Sequence, residues 1–498
     1  NVTSSTNILI FSNRFINNTV NAFDDGLNNW DSGILGNFYS DYAGTDSDNN
    51  GLGDTPFSIS GGTSIDNFPR VTDNERQYVF VDTKGKGDFI DIQSSILFAK
   101  ENSVLQVYPG IYIGEIIIDK TMELYAPMGK NTVILSNYNP FDRNQITINL
   151  NAPTNLHDIT VIGLIFIASE NITLNSIILN GSIKNSNLGN NLILSNTDIQ
   201  SVKPFQSGVE IYSSNNVTIF NINFNTPRFG PGFFDLYYYN VYLSGVNNAS
   251  LRNITMSGEI RTSGFYLFNT ENITVRDSFI HFNTTKNLPA YGIQASTGKN
   301  IIIKNNTIMD VSTGIQISSV SSSIIENNTI FISKFALSIN LGGNHSLLQN
   351  AIYNTSNSLF SIGSGTNVNM SQNTFVNYPL IGGGLPQVFI SSISVVNFAY
   401  QNIGNFWYTY IGSDANNDGI GDIPFLVYNS SGVVRYDNFP LIIPVVSLSP
   451  DLSILPEDPE PDPDPEPDPT STGQSPTLVY PTPLTSSKDT TSKSSTAP

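Results

Sequence analysis

Six segments in the middle of this 498-residue chain stack on one another without gaps: GVEIYSSNNVTIFNINF from Gly208, NVYLSGVNNASLRNITM from Asn240, GFYLFNTENITVRDSFI from Gly264, GIQASTGKNIIIKNNTI from Gly292, GIQISSVSSSIIENNTI from Gly314 and ALSINLGGNHSLLQNAI from Ala336. Their starts are separated by 32, 24, 28, 22 and 22 residues. Each holds two short alternating strands rich in Ile, Val, Leu and Thr, broken by Gly, Asn and Ser, with no helix-period stretch between them. A period near 22 residues is too short for a propeller blade and lacks the leucine-rich pattern. It fits one coil of a right-handed parallel β-helix, in which coils stack about 4.8 Å apart. Residues 104–400 leave room for roughly a dozen coils, a rod on the order of 60 Å long.

A polar column runs through the repeat. Thirteen residues into each segment stand Asn221, Asn253, Asp277, Asn305, Asn327 and Gln349. Asn and Asp tolerate left-handed turn geometry and can bond the same residue one coil away, so the column reads as a structural ladder at a corner rather than a ligand row. Upstream, Phe89, Ile92, Ile96 and Ala99 recur at helical spacing between Asp88 and Asn102. A short amphipathic helix there would cover the first coil and hide its open edge. The stretch from Tyr78 to Ile134, with its Asp/Phe turn, helix and YPGIY strand in that order, resembles the opening of pectin-methylesterase-like and other pectin-lyase-like β-helices.

A second, longer repeat lies 368 residues apart: GNFYSDYAGTDSDNNGLGDTPF from Gly36 and GNFWYTYIGSDANNDGIGDIPF from Gly404, each followed by Asp-Asn-Phe-Pro, at Asp66 and Asp437. On these residues the chain resembles NosD-type β-helix proteins and the related parallel-β-helix repeats common in archaeal surface proteins. In that family such a block closes the C-terminal end of the solenoid. The resemblance covers nearly everything from Asn1 to Pro444. It implies that residues 1–71 are the last coil and closing block of one β-helix whose beginning is missing, that 77–403 are a second β-helix with an N-terminal capping helix, and that 404–444 are its closing block. A chain that starts at Asn1 without methionine or a signal-peptide pattern is accordingly expected to be a processed or excised piece.

The core of the block also has a reading of its own. Asp46, Asp48, Asn50, Gly51 and Asp54, and Asp414, Asn416, Asp418, Gly419 and Asp422, follow the donor order of a calcium loop. Oxygen donors fall at positions 1, 3, 5 and 9, glycine makes the turn at 6, and Leu52 or Ile420 can offer a backbone carbonyl. Position 12, a bidentate Glu in an EF-hand, is here Phe57 or Phe425. Asp66 and Asp437 are the nearest shared acids that could complete each site. A Gly/Asp turn without metal is the other reading. Phe38, Tyr39, Tyr42, Phe406, Trp407 and Tyr410 are expected to plug the solenoid end.

With 41 acids and 22 bases the formal charge is −19, opposite to what a nucleic-acid binder needs. Residues 451–498 hold 9 acids and 2 bases. Their proline–acid alternation and Ser/Thr-rich end mark 445–498 as a disordered stalk. Absence of cysteine removes thiolate chemistry and Cys-ligated metals, and no apolar run has membrane-spanning length.

Many relatives of this fold act on polysaccharides, so an enzyme is the first hypothesis to meet. Asn196-Thr197-Asp198 is a fragment resembling polygalacturonase, but the downstream motifs of that family and those of pectin methylesterase are missing. The nearest candidates for lyase chemistry, Asp277 with Arg276 and Glu259 with Arg261, also read as exposed turn charges. The NosD resemblance implies copper delivery, yet His157, His281 and His345 stand isolated in sequence, as surface or turn residues, beside only 5 Met.

A secreted or cell-surface protein with a structural, adhesive or glycan-binding role follows, with calcium at its ends and glycans or cell-envelope components as partners. The alternative is a polysaccharide lyase or glycoside hydrolase acting on an acidic polysaccharide. The insertion TPRFGPGFFDLYYY carries Phe229, Phe233, Phe234, Tyr237, Tyr238 and Tyr239, either as a contact surface or packed beneath a long loop. Sequons at Asn171, Asn216, Asn253, Asn272, Asn305, Asn327 and Asn344 are compatible with a glycoprotein, and an Asn- and Thr-rich chain also makes them by chance.

Overall fold

The computed structural model describes residues 1–445 except 12, 34, 48–50, 72–75, 138–144, 188, 201–206, 227–237, 260–261, 284–289, 332, 377, 379, 382–384 and 431. The stalk expected at 445–498 thus lies almost wholly outside the described residues. Residues Asn1–Pro450 form one compact unit.

The body is a parallel β-solenoid. One continuous ladder of 32 strands runs through it. The alternation of the repeats explains the ladder: every second side chain points inward, and equivalent residues of successive coils pair in register. Val209, Val241, Phe265, Ile293, Ile315, Leu337, Phe360 and Val388 form one such inner row. All are buried, and burying each such side chain contributes about 1.5–3 kcal/mol. Four of the six repeats open on glycine, where backbones approach closely. A Cβ on Gly292 would sit 2.5 Å from the carbonyl oxygen of Gly314.

The corner column is a ladder. Asn221, Asn253, Asp277, Asn305, Asn327 and Gln349 all have φ between 51° and 55°. Asn253 donates to Asn221 at 2.8 Å, Asn305 to Asp277 at 3.0 Å and Gln349 to Gln372 at 2.7 Å. One residue later runs a second ladder, this one buried. Asn306, Asn328, Asn350, Asn373 and Asn405 each present a carboxamide oxygen to the backbone N–H of the preceding coil, at 2.9–3.1 Å. Their amide groups donate to carbonyls such as Ile303, Ile325 and Leu347. The ladder ends on the carboxylate of Asp437, which accepts from Asn405 N at 2.8 Å.

At the other end, a helix α1 (Ile92–Phe98) covers the first coil, with Asp91 accepting from Ser94 N as its N-cap. It is shorter than the periodicity implies. Ala99 already belongs to the strand Ala99–Val107, where alternation overrides helical spacing. Ahead of it, residues 1–71 have their own small core of Ala22, Trp30, Tyr39 and Ile59.

Candidate functional site

The second loop is closed by its own side chains. Asp414 accepts from Gly419 N at 2.9 Å and Asp418 N at 3.2 Å. Asn416 donates to Asp418 at 2.9 Å. Asp422 accepts from Ser413 Oγ at 3.0 Å and Ala415 N at 2.9 Å. Gly419 takes φ +86°, which makes the turn. The first loop repeats this: Asp46 accepts from Gly51 N at 3.0 Å, and Asp54 from Thr45 Oγ1 at 2.8 Å and Ser47 N at 3.0 Å. Those bonds, Ser47's hydroxyl foremost, hold the Asp54 carboxyl below its ordinary value. Asp48 and Asn50 lie outside the described residues.

Leu52 and Ile420 sit in isolated bridges to Arg70 and Leu441.

Asp66 and Asp437, expected to complete the loops, are used elsewhere. Both are fully buried. Asp437 accepts from Asn405 N and Nδ2, Trp407 Nε1 at 3.0 Å and Phe439 N at 3.1 Å. Asp66 accepts from Asn37 N at 2.6 Å, Tyr39 OH at 3.0 Å and Phe68 N at 3.0 Å. Burial, working against these donors, pushes the Asp66 carboxyl up to about 6 and raises that of Asp437. The two acids fasten the aromatic plugs instead: Tyr39 stacks on Phe57 at 3.9 Å and Trp407 on Phe425 at 5.1 Å. No three His, Asp or Glu side chains meet as a metal-holding group among the described residues.

The histidines are not the isolated surface groups that the sequence implies. His157 lies between Glu123 (Nε2 to Oε1, 2.9 Å) and Asp158 (Nδ1 to Oδ2, 2.8 Å), with Tyr125 stacked at 4.8 Å. Both ring nitrogens are thus engaged by carboxylates. His281 pairs with Asp310 at 3.0 Å. His345 is buried, bonded to Ser323 and Gly342, and burial lowers its pKa. Arg276 holds Asp277 at 2.5 Å. Arg261 and the Glu259 side chain lie outside the described residues.

One outer sheet face concentrates aromatics. In successive coils Lys184, Glu210, Tyr242, Tyr266, Gln294, Gln316 and Ser338 are in register, and the next outward row sets Tyr212, Ser244 and Phe268 beside it. Tyr242 and Tyr266 are stacked at 5.4 Å, Tyr239 lies 4.7 Å from Tyr266, and Tyr212 meets Tyr242 edge-on at 5.6 Å. These tyrosines are half-buried. The hydroxyl of Tyr212 donates to Glu210 at 3.2 Å, and Lys184 reaches Glu210 at 3.5 Å. Burial and the Glu210 charge raise the Tyr212 pKa, so the phenol stays a neutral donor. The carboxamide oxygens of Gln294 and Gln316 are buried between coils, without a hydrogen-bond partner among the described residues. Of the aromatic insertion, Phe229, Phe233, Phe234 and Tyr237 lie outside the described residues, as does the side chain of Tyr238, and Tyr239 joins this strip.

Residues 207–397 match the family model described as the right handed beta helix region. No curated protein matches the chain. Among solved structures, the catalytic domain of an alpha-1,3-glucanase in complex with nigerose is similar at 12% identity over 68% of this chain and 70% of that one, with a TM-score of 0.43. The mannuronan C-5 epimerase A-module of Azotobacter vinelandii follows at 14% identity, 58% and 91% coverage and a TM-score of 0.32. An exopolygalacturonase from Thermotoga maritima gives 11%, 59%, 84% and 0.35. The β-helix assignment rests on the family match and on the strand ladder itself.

The aromatic strip is masked in the repeats by the more conspicuous asparagines. Its signal stands at the third position of the same alignment, which reads Glu210, Tyr242, Tyr266, Gln294, Gln316, Ser338 down the column. The seven sequon asparagines are all exposed. Several are ladder members, such as Asn216 donating to Asn191 and Asn272 to Asn247.

Proposed function

We propose that this chain is a secreted or cell-surface β-helix that binds a glycan along the strip of Tyr212, Tyr239, Tyr242 and Tyr266. The observation that carries the reading is the run of half-buried rings continuing into Gln294 and Gln316 on one outer face. Ring faces stack on the apolar faces of sugars, while amides and phenols exchange hydrogen bonds with sugar hydroxyls. Glu210, the carboxylate of this row, is engaged by Tyr212 and Lys184, and glycoside chemistry requires two carboxyls about 5–10 Å apart. Binding without turnover suits such a face.

Calcium fits as a structural ion of the second loop. Asp414, Asn416, Asp418 and Asp422 supply the oxygen-only donor set of a hard cation and Ile420 could add its carbonyl; the three carboxylates do not converge as the loop stands, so binding would have to draw them together. Asp437 takes no part, so water or a group outside the loop would fill the remaining positions.

Affinity electrophoresis on neutral and acidic polysaccharides tests the glycan reading. Retardation of the wild type, lost in Tyr242→Ala/Tyr266→Ala with an unchanged melting temperature, is the expected result. Equal retardation of the double variant, or release of unsaturated or reducing sugars by the wild type, overturns it.

A further inference from the structure

The two closing modules share one backbone plan. In the first, Gly36 N donates to Phe68 O, Gly53 N to Pro69 O, Arg70 N to Asn37 O and Val71 N to Gly51 O. In the second, Gly404 N donates to Phe439 O, Gly421 N to Pro440 O, Leu441 N to Asn405 O and Ile442 N to Gly419 O. The bridges match as well, Phe38–Arg70 and Leu52–Arg70 against Phe406–Leu441 and Ile420–Leu441. Leu35, Leu52 and Arg70 therefore correspond to Ile403, Ile420 and Leu441.

In the first module these positions meet the solenoid that follows. Leu35 is 0% exposed and belongs to the same core cluster as Ile92, Ile96 and Phe98 of α1, and Leu52 packs against that cluster. Arg70 is 3% exposed, its guanidinium carbon 4.8 Å from the centroid of the Phe98 ring. A cleft of about 380 Å³ remains open beside the contact, where Leu52, Asp54 and Phe68 face Asp88, Phe89 and Asp91. In the second module no described residues take the place of α1. Ile403, Ile420 and Leu441 are only partly buried, and Ile443, just beyond, is 69% exposed. Arg70 is replaced by Leu441, so the uncovered face is the more apolar of the two.

We propose that the face built by Ile403, Ile420 and Leu441 is a docking surface for the helix-capped N-terminal end of another parallel β-helix. The partner's chemistry is set by the copy already docked in this chain: a short amphipathic helix closing a coil, with an aromatic ring where Phe98 stands. The hydrophobic effect drives such a contact, and a leucine opposite that ring replaces the cation–π contact of Arg70. The inference stands whether or not the tyrosine strip binds glycan.

The full-length chain serves as its own probe, because its α1 end is held by the first module at high effective concentration. Leu35→Asp, which puts a charge into that junction, frees α1 for the terminal module of a second molecule. Light scattering and sedimentation are expected to show concentration-dependent, end-to-end association of Leu35→Asp. The same variant carrying Leu441→Asp is expected to remain monomeric. Should Leu35→Asp not fold, the milder Leu35→Ala is measured at the highest soluble concentration. A folded junction variant that stays monomeric, or one that associates equally well with Leu441→Asp, overturns the proposal.

Discussion

At the scale of single residues, two asparagine columns one position apart have opposite energetics. Asn327 sits exposed at φ 53°, so what matters there is tolerance of the left-handed region. Asn350 is 1% exposed, accepts from Asn328 N and Nδ2, and donates to Ile325 O and Asn373 Oδ1. Asn350→Leu strands the buried Asn328 N–H and the Ile325 carbonyl, each costing about 1–3 kcal/mol. A loss of about 3 kcal/mol or more is expected in denaturant unfolding. Asn327→Gly is expected to stay within about 0.5 kcal/mol of wild type. Equal effects would show that the buried column is not what holds this corner. The exposed column was legible because Asn is conspicuous at turns. The buried one hides as the second residue of Asn305-Asn306, Asn327-Asn328 and Gln349-Asn350, at a position where inward-facing residues are read as apolar. In two earlier coils the position is apolar, Ile222 and Ile254, and it is already polar at Thr197 and Ser278.

At the scale of elements, α1 was legible as an amphipathic helix, and its far end was not. The C-terminal carbonyls of a helix need donors, and α1 runs straight into a strand at Ala99. Lys120, from the next coil, supplies them: its Nζ donates to Ile96 O at 3.1 Å, Leu97 O at 2.9 Å and Ala99 O at 2.8 Å. No local pattern announces a lysine more than twenty residues away that caps a helix, because the contact exists only once the coil has closed. Lys120→Met keeps much of the apolar stem and removes the three bonds. A cost of about 1.5–3 kcal/mol is expected, as for bonds to charged groups. Hydrogen exchange should accelerate at the amides of α1 and its neighbouring coil while coils beyond Asn300 keep their protection, since solenoid coils communicate chiefly with neighbours. Uniform acceleration along the rod would contradict that local role.

At the scale of the whole molecule, the net charge of −19 is unevenly placed: 9 acids against 2 bases fall in residues 451–498. In the body, Asp414, Asp418 and Asp422 fall within nine residues of the second module, with Asn416 between the first two. A divalent cation that gathers these carboxylates would bind the folded loop and not the open chain. Binding of this kind stabilises by about 2.7 kcal/mol at a hundredfold excess over the dissociation constant. Calcium should therefore raise the melting temperature of the chelated protein, and the part of the increment owed to the second loop should vanish in Asp414→Asn/Asp418→Asn. Asp437→Asn discriminates the roles of the acids. Because the Asp437 carboxylate is bonded to Asn405, Trp407 and Phe439, this variant is expected to change the starting stability and leave the calcium increment intact. Identical melts with calcium and with chelator would remove the ion from the account, and loss of the increment in Asp437→Asn would return that residue to the loop.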